Sequence, residues 1–274
     1  MRYAGEPMSD APGQAPETIG PEQLTAHLVA WIRDQVTGSG GSGVVFGLSG
    51  GLDSTLVAEL ATRAFPDASL GVIMPCHSDP QDEQDAGLAA GHTGLATARV
   101  DLGPVYDALV AQLAAARPEL ADCRLALANI KPRLRMTTLY SFANLHGYRV
   151  LGTGNRSELA IGYFTKHGDG GVDLLPIGAL TKTQVRELSR HLDVPRRLID
   201  KPPSAGLWAG QTDEKEMGLT YEELDAYLTG TGDPAAVAVA ERIEALIAGS
   251  RHKRELPAVA PLPTPRSAAG KDLP

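Results

Sequence analysis

Cysteine is scarce: Cys76 and Cys123 are the only two in 274 residues. They form no CxxC pair and keep no ligand spacing with histidine, which excludes a disulfide framework and a structural zinc site. Such sparse thiol use fits a reducing compartment. Long apolar runs are also missing. No stretch approaches the roughly 20 residues that span a bilayer. Met1–Gly20 holds three prolines and no apolar segment of the kind a secretory leader carries. A cytoplasmic chain without a membrane partner is expected. Positive charge is in deficit, with 25 basic against 33 acidic residues and a net charge of −8. That balance argues against nucleic acid or a membrane surface held by overall attraction. No Ser-His-Asp or Cys-His arrangement suggests a nucleophilic side chain.

What the sequence does have is apolar material for a core, 43% of its residues. Met1–Gly20 reads as a flexible lead-in and residues 256–274 as a proline-rich tail, leaving 21–255 as one domain. Pro21 opens a helix whose apolar stripe is Leu24, Leu28, Trp31, Ile32 and Val36. Short apolar strands are expected over Val44–Leu48, Leu70–Met74, Ala98–Leu102 and Tyr148–Gly152. Helices are expected over Ser54–Phe65, Gln81–Leu95, Val105–Ala116, Arg124–Leu145, Val185–Leu192, Tyr221–Leu228 and Ala235–Ile247. Alternation of this kind predicts an α/β fold, a mostly parallel twisted sheet with helices on both faces. Ligands of such sheets bind beyond the carboxyl ends of the strands. The loops after Leu48, Met74 and Gly152 therefore matter most.

The first of these loops is Ser49-Gly50-Gly51-Leu52-Asp53-Ser54. Its glycines allow backbone to approach an anion closely, and the amides of the following helix point at it. Asp53 would repel phosphate unless it holds a magnesium ion that bridges to phosphate oxygens. The bland alternative is a glycine-rich turn with a helix cap. No lysine is present, so this is not the common nucleoside-triphosphate loop. The segment resembles the pyrophosphate loop of the N-type ATP pyrophosphatases, which split ATP between its α and β phosphates. The resemblance implies the adenine nucleotide alpha hydrolase-like, Rossmann-like fold.

A second block, Leu151-Gly152-Thr153-Gly154-Asn155-Arg156-Ser157-Glu158, puts another carboxylate at a strand end. Glu158 either completes a magnesium site with Asp53 or stabilises its own helix. A third block runs from Gly162 through Lys166, Asp169 and Asp173 to Pro176 and on to Leu180-Thr181-Lys182. It is too polar and glycine-rich for core. Basic residues gather at Lys131, Arg133 and Arg135 and again at His252, Lys253 and Arg254, either as binding clusters or as solvated faces.

Together these blocks resemble the NAD synthetase family over roughly residues 20–257. The match includes Lys201-Pro202-Pro203-Ser204-Ala205-Gly206-Leu207 and Gln211-Thr212-Asp213-Glu214. Ser204 stands where some members have threonine, and Pro132 where alanine is common. The resemblance implies a carbon–nitrogen ligase that adenylates the nicotinate carboxylate of deamido-NAD with ATP and amidates it with ammonia. It implies that Gly47, Leu48, Ser49, Gly50, Gly51, Leu52, Asp53, Ser54, Thr153, Lys182 and Ser204 bind ATP. Asp53 and Glu158 would hold magnesium and, with Lys182, serve catalysis. Arg133, Lys166, Asp173, His252 and Lys253 would bind deamido-NAD, in a homodimer whose dinucleotide site lies at the subunit interface. About 20 residues precede the first expected helix, too few for the amidase domain of glutamine-using members. Free ammonia is therefore the expected donor, from solution or a separate glutaminase. The alternative is another adenylating member of the superfamily, such as a tRNA-modifying enzyme, which the net charge of −8 and the missing cysteine pair disfavour.

Overall fold

The computed structural model describes residues 19–262 apart from 209, 234 and 235. The expected lead-in and tail thus fall largely outside the described residues. In chain order the elements are α1 (Pro21–Gly38), β1 (Val44–Gly47), α2 (Leu52–Ala64), β2 (Ser69–Ile73), α3 (Pro80–Thr93), β3 (Ala96–Arg99) and α4 (Gly103–Ala116). A 3-10 turn at Pro118–Asp122 leads to α5 (Arg124–Ala128), α6 (Ile130–His146), β4 (Arg149–Val150) and α7 (Arg156–Ile161). The chain closes with α8 (Lys182–His191), α9 (Arg196–Ile199), α10 (Asp213–Met217), α11 (Tyr221–Thr229), α12 (Val237–Gly249) and α13 (Arg251–Arg254).

The four strands are parallel in the order β3-β2-β1-β4. Beside β4, Leu151 forms a single parallel bridge with Leu174. Alternation along β1 assigns its side chains to two layers. Val44 and Phe46 join Ile32 and Val36 of α1, Leu56 and Leu60 of α2, and Val185 and Leu188 of α8. Val45 turns the other way, to Val72, Val150 and, on α6, Leu139 and Ala143. A third, smaller core under α7, α11 and α12 contains Ile161, Tyr221, Leu224 and Ile243. Burial on both faces explains why β1 reads as a continuous apolar run, whereas the edge strand β3, Ala-Thr-Ala-Arg, is largely exposed. The strand order reverses between β1 and β4, so a crevice opens beyond their carboxyl ends.

Most boundaries differ by a residue or more from the sequence expectations, and three of the differences bear on the site. The helix expected over Arg124–Leu145 is broken at Asn129 into α5 and α6. Pro132 has no N–H for the carbonyl of Ala128, but it is tolerated in the first turn of a new helix. The third strand starts two residues earlier than expected, and Val100 and Leu102 still donate to Ile73 and Pro75 beyond its end. The helix α8 begins at Lys182, because Thr181 and Gln184 form a capping box there.

A candidate ATP-pyrophosphatase site at the switch point

The loop after β1 is shaped by Gly50, whose φ is +73°. A Cβ there would stand 2.5 Å from the carbonyl oxygen of Asp82. Only glycine meets both demands. Ser54 Oγ donates to the carbonyl of Gly51 at 2.9 Å and accepts from the Ser49 amide at 3.2 Å. These bonds place Asp53 in the first turn of α2. Lys201 braces the loop from outside, donating to Asp82 at 2.9 Å, to Asp85 at 2.8 Å and to the Gly50 carbonyl at 3.4 Å.

The loop after β4 carries Asn155, the N-cap of α7. Its Oδ1 accepts from the Glu158 amide at 3.0 Å, and Glu158 Oε2 accepts from the Asn155 amide at 3.2 Å. Asn155 Nδ2 donates to Asp53 Oδ1 at 2.9 Å. Lys182, 3% exposed, reaches in from α8: its Nζ donates to Asp53 Oδ2 and lies 3.4 Å from Glu158 Oε1. Tyr221 OH lies 3.2 Å from Glu158 Oε1 and 3.0 Å from Asp213 Oδ2, with one proton to donate between them. Tyr163 OH meets Asp213 at 3.1 Å and Glu216 at 2.7 Å.

Burial pushes the Glu158 carboxyl up to about 7, against the downward pull of the Lys182 ammonium. Burial opposes charge on Lys182, but Asp53 and Glu158 outweigh it and hold the ammonium above its ordinary range. Burial likewise raises Asp213. Tyr163 and Tyr221 are raised by burial and by the carboxylates they face, so both remain protonated donors.

Asp53, Glu158, Tyr163, Lys182, Asp213 and Glu216 line a cleft of about 560 Å³ at the carboxyl ends of β1 and β4, and Asn155 and Tyr221 are buried behind its wall. Of the residues expected at ATP, Gly47, Leu48, Ser49, Gly51, Leu52, Asp53, Ser54, Thr153, Lys182 and Ser204 are on its wall. Gly50 is not, being packed against the start of α3. Lys253 is on the wall and donates to the carbonyls of Gly162 and Phe164, each at 2.8 Å. Arg133, Lys166 and His252 form a neighbouring string outside it: Arg133 donates to the Lys166 carbonyl at 3.4 Å, and Lys166 Nζ to the His252 carbonyl at 2.6 Å. Asp173 stands apart, accepting from the Val150 amide at 2.8 Å and from Tyr140 OH at 3.1 Å. Lys131, Arg133 and Arg135 do not form one basic cluster. Residues two apart on a helix point in different directions. Lys131 is buried and donates to the Leu207 carbonyl at 2.9 Å, while Arg135 reaches the Met74 carbonyl at 3.3 Å.

Asn155, Tyr163, Asp213, Glu216 and Tyr221 escaped the sequence reading as site residues. Asn155 alone left a local signal, an N-cap three residues before Glu158. Two magnesium carboxylates suit the place. Asp53 and Glu158 each turn one oxygen to a single cation position, held by the Lys182 ammonium. Magnesium is commonly bound by one or two carboxylates together with substrate phosphates.

Comparison with known proteins identifies the family. The sequence model described as NAD synthase matches residues 24–257. The NH(3)-dependent NAD(+) synthetase of Carboxydothermus hydrogenoformans is 54% identical over 239 residues, covering 87% of this chain and 97% of that protein. The protein of the same description from Archaeoglobus fulgidus is 43% identical, with coverages of 87% and 96%. Among solved structures, the NMN synthetase from Francisella tularensis has a TM-score of 0.81 at 38% identity, covering 89% of this chain and 99% of that one. The NAD+ synthetase from Burkholderia pseudomallei has a TM-score of 0.72 at 33% identity, with coverages of 88% and 92%. The Ser49–Ser54 loop, Asp53, Glu158 and Lys182 thus occur in a chain that these enzymes match over most of its length, and the chain belongs to the NAD synthase family.

Proposed function

We propose that the cleft binds ATP over the loop from Gly47 to Ser54 and presents its α-phosphate to the nicotinate carboxylate of deamido-NAD. The chain is a carbon–nitrogen ligase of NAD biosynthesis that uses ammonia. A carboxylate oxygen attacks the α-phosphorus, the bond to the β-phosphate oxygen breaks, and pyrophosphate leaves. Ammonia then attacks the acyl carbon of the mixed anhydride, loses a proton and expels AMP, leaving the amide of NAD.

Negative charge develops on the α-phosphate and on the departing pyrophosphate. In this reading the loop amides, the hydroxyls of Ser49 and Ser54, and Lys182 meet that charge. Thr153 and Ser204 hold the rest of ATP. Asp53 and Glu158 hold magnesium, which when bound neutralises the phosphate oxygens. No side-chain nucleophile is needed. Arg133, Lys166, His252 and Lys253 receive the anionic dinucleotide. That Arg133, Lys166, His252 and Asp173 sit off the cleft wall fits a dinucleotide reaching out to a subunit interface. The chain works as a cytoplasmic homodimer, and α4 offers an apolar stripe for association, with Val105 51% and Leu109 38% exposed. Among the described residues, no helix is long and apolar enough to cross a membrane.

The observation that carries this reading is the meeting of Asp53 and Glu158 on Lys182 beside the phosphate loop. The test is NAD formation from deamido-NAD, ATP and magnesium, with ammonium chloride or glutamine as donor. Product with ammonium and none with glutamine is expected; no product with either contradicts the proposal. The Francisella tularensis relative is described as an NMN synthetase, and a parallel assay for NMN formation tests whether this chain shares that activity.

A further inference from the structure

The loop after β4 holds a residue that the proposed chemistry does not use directly. Asn155 is 0% exposed, and both ends of its amide are committed. Its Oδ1 caps α7 at the Glu158 amide, and its Nδ2 donates to Asp53 Oδ1 at 2.9 Å. Its backbone amide donates to Glu158 Oε2 at 3.2 Å. One oxygen of each carboxylate is therefore engaged by the same residue. The other two, Asp53 Oδ2 and Glu158 Oε1, both face the Lys182 ammonium. The bond from Asn155 to Asp53 spans 102 residues of sequence. It is the polar link from the β4 loop to the phosphate loop across the switch point.

We propose that Asn155 is a positioning residue that presets the two carboxylates for one divalent cation. By engaging Oδ1 and Oε2 it decides which oxygens are left to converge. This proposal rests on the reading that Asp53 and Glu158 hold magnesium. A helix cap alone would require only the Oδ1 acceptor, which serine or aspartate supplies equally well. The Nδ2 donor has no part in the cap. Its loss leaves Asp53 fixed by Lys182 at one oxygen only, and the cation must then order the other itself. A hydrogen bond to a charged group is strong enough to change an equilibrium about tenfold or more.

The test uses Asn155→Ser, which keeps the cap but is too short to reach Asp53. Manganese binding in the presence of a non-hydrolysable ATP analogue is followed by electron paramagnetic resonance. Magnesium dependence of pyrophosphate release is followed alongside. The expected result is about tenfold weaker manganese binding. The magnesium concentration for half-maximal rate shifts by the same factor, kcat recovers at saturating magnesium, and the KM for deamido-NAD is unchanged. Should the serine variant not fold, Asn155→Thr likewise keeps a capping hydroxyl and lacks the Nδ2 donor without adding charge, and the same shifts are expected. Wild-type manganese binding and magnesium dependence in a folded variant would overturn the proposal, as would a kcat loss that no magnesium concentration restores. Asp53→Asn separates the two levels. If it binds manganese like the wild type, the metal assignment itself fails. If Asp53→Asn abolishes binding while the Asn155 variants leave it intact, only the positioning role fails.

Discussion

Lys182 donates to Asp53 across 129 residues of sequence, from the first turn of α8 to the first turn of α2. The two helices lie on the same face of the sheet and share its core through Leu56 and Val185. Each residue is placed by its own helix start: Lys182 by the Thr181 cap, Asp53 by the turn through Gly50. The site is thus two helix N-termini and a third, that of α7, brought together where the strand order reverses. Asp53→Asn removes the charge and keeps the shape. We expect pyrophosphate release to fall at least about 100-fold, a loss typical of removing charge stabilisation from a transition state. Circular dichroism should still show a folded protein. Near-normal turnover would show that Asp53 does not serve the phosphates.

Arg133 tests the outer half of the site. Its guanidinium is exposed and, among the described residues, reaches only the Lys166 carbonyl, at 3.4 Å. Arg133→Ala is expected to raise the KM for deamido-NAD several-fold and leave that for ATP within twofold. Steady-state kinetics with each substrate varied gives the answer. A defect confined to ATP would move Arg133 to the other half of the cleft.

Gly50→Ala should act on the loop. The substitution imposes a left-handed backbone on alanine and drives its Cβ into the carbonyl of Asp82. The backbone term alone costs about 1–3 kcal/mol. Either the loop shifts and the ATP requirement rises, or the midpoint of urea unfolding falls. An unchanged KM for ATP together with an unchanged midpoint would contradict the account of the loop.

Asp225 is a buried brace, accepting from Ser157 Oγ and from the Thr183 amide at 2.7 Å. Ser157 Oγ in turn accepts from the Lys182 amide at 3.0 Å, so one carboxylate joins α7, α8 and α11. Asp225→Ala leaves those donors unsatisfied, at a cost of about 3 kcal/mol. Urea unfolding should show it, and a change under about 0.5 kcal/mol would mean water replaces the carboxylate without loss.

Leu109→Glu places a charge on the exposed stripe of α4. Sedimentation should find the wild type dimeric and the variant monomeric. A dimeric variant would put the interface elsewhere.

The sequence revealed those parts of the site whose chemistry is local. The loop Ser49–Ser54 is legible because glycine, hydroxyl and carboxylate sit within six consecutive positions between a strand and a helix. Glu158 is legible for a similar reason, marked by a helix start, whereas Lys182 came from the family resemblance, its helix being expected to begin three residues later. The phenols of Tyr163 and Tyr221 were not. Tyr221 reads as ordinary core, and its OH finds Glu158 only through a contact 63 residues away. Asn155 shows its capping role in sequence and hides its bond to Asp53. Lys131 and Arg135 read as one cluster with Arg133, for binding or as a solvated face, because spacing in a chain does not tell which side of a helix is covered. The strands were found from their apolar runs, whereas the end of β3 depended on pairing with β2, which no local pattern records.

The central claim is that the carboxylate is activated by adenylation rather than by phosphorylation. Deamido-NAD labelled with oxygen-18 in the nicotinate carboxylate tests it most directly, with the reaction run to completion with ATP and ammonium and the products read by mass spectrometry. The account predicts one labelled oxygen in the AMP of each turnover and none in pyrophosphate. Label in orthophosphate, or AMP without label while NAD accumulates, would contradict it.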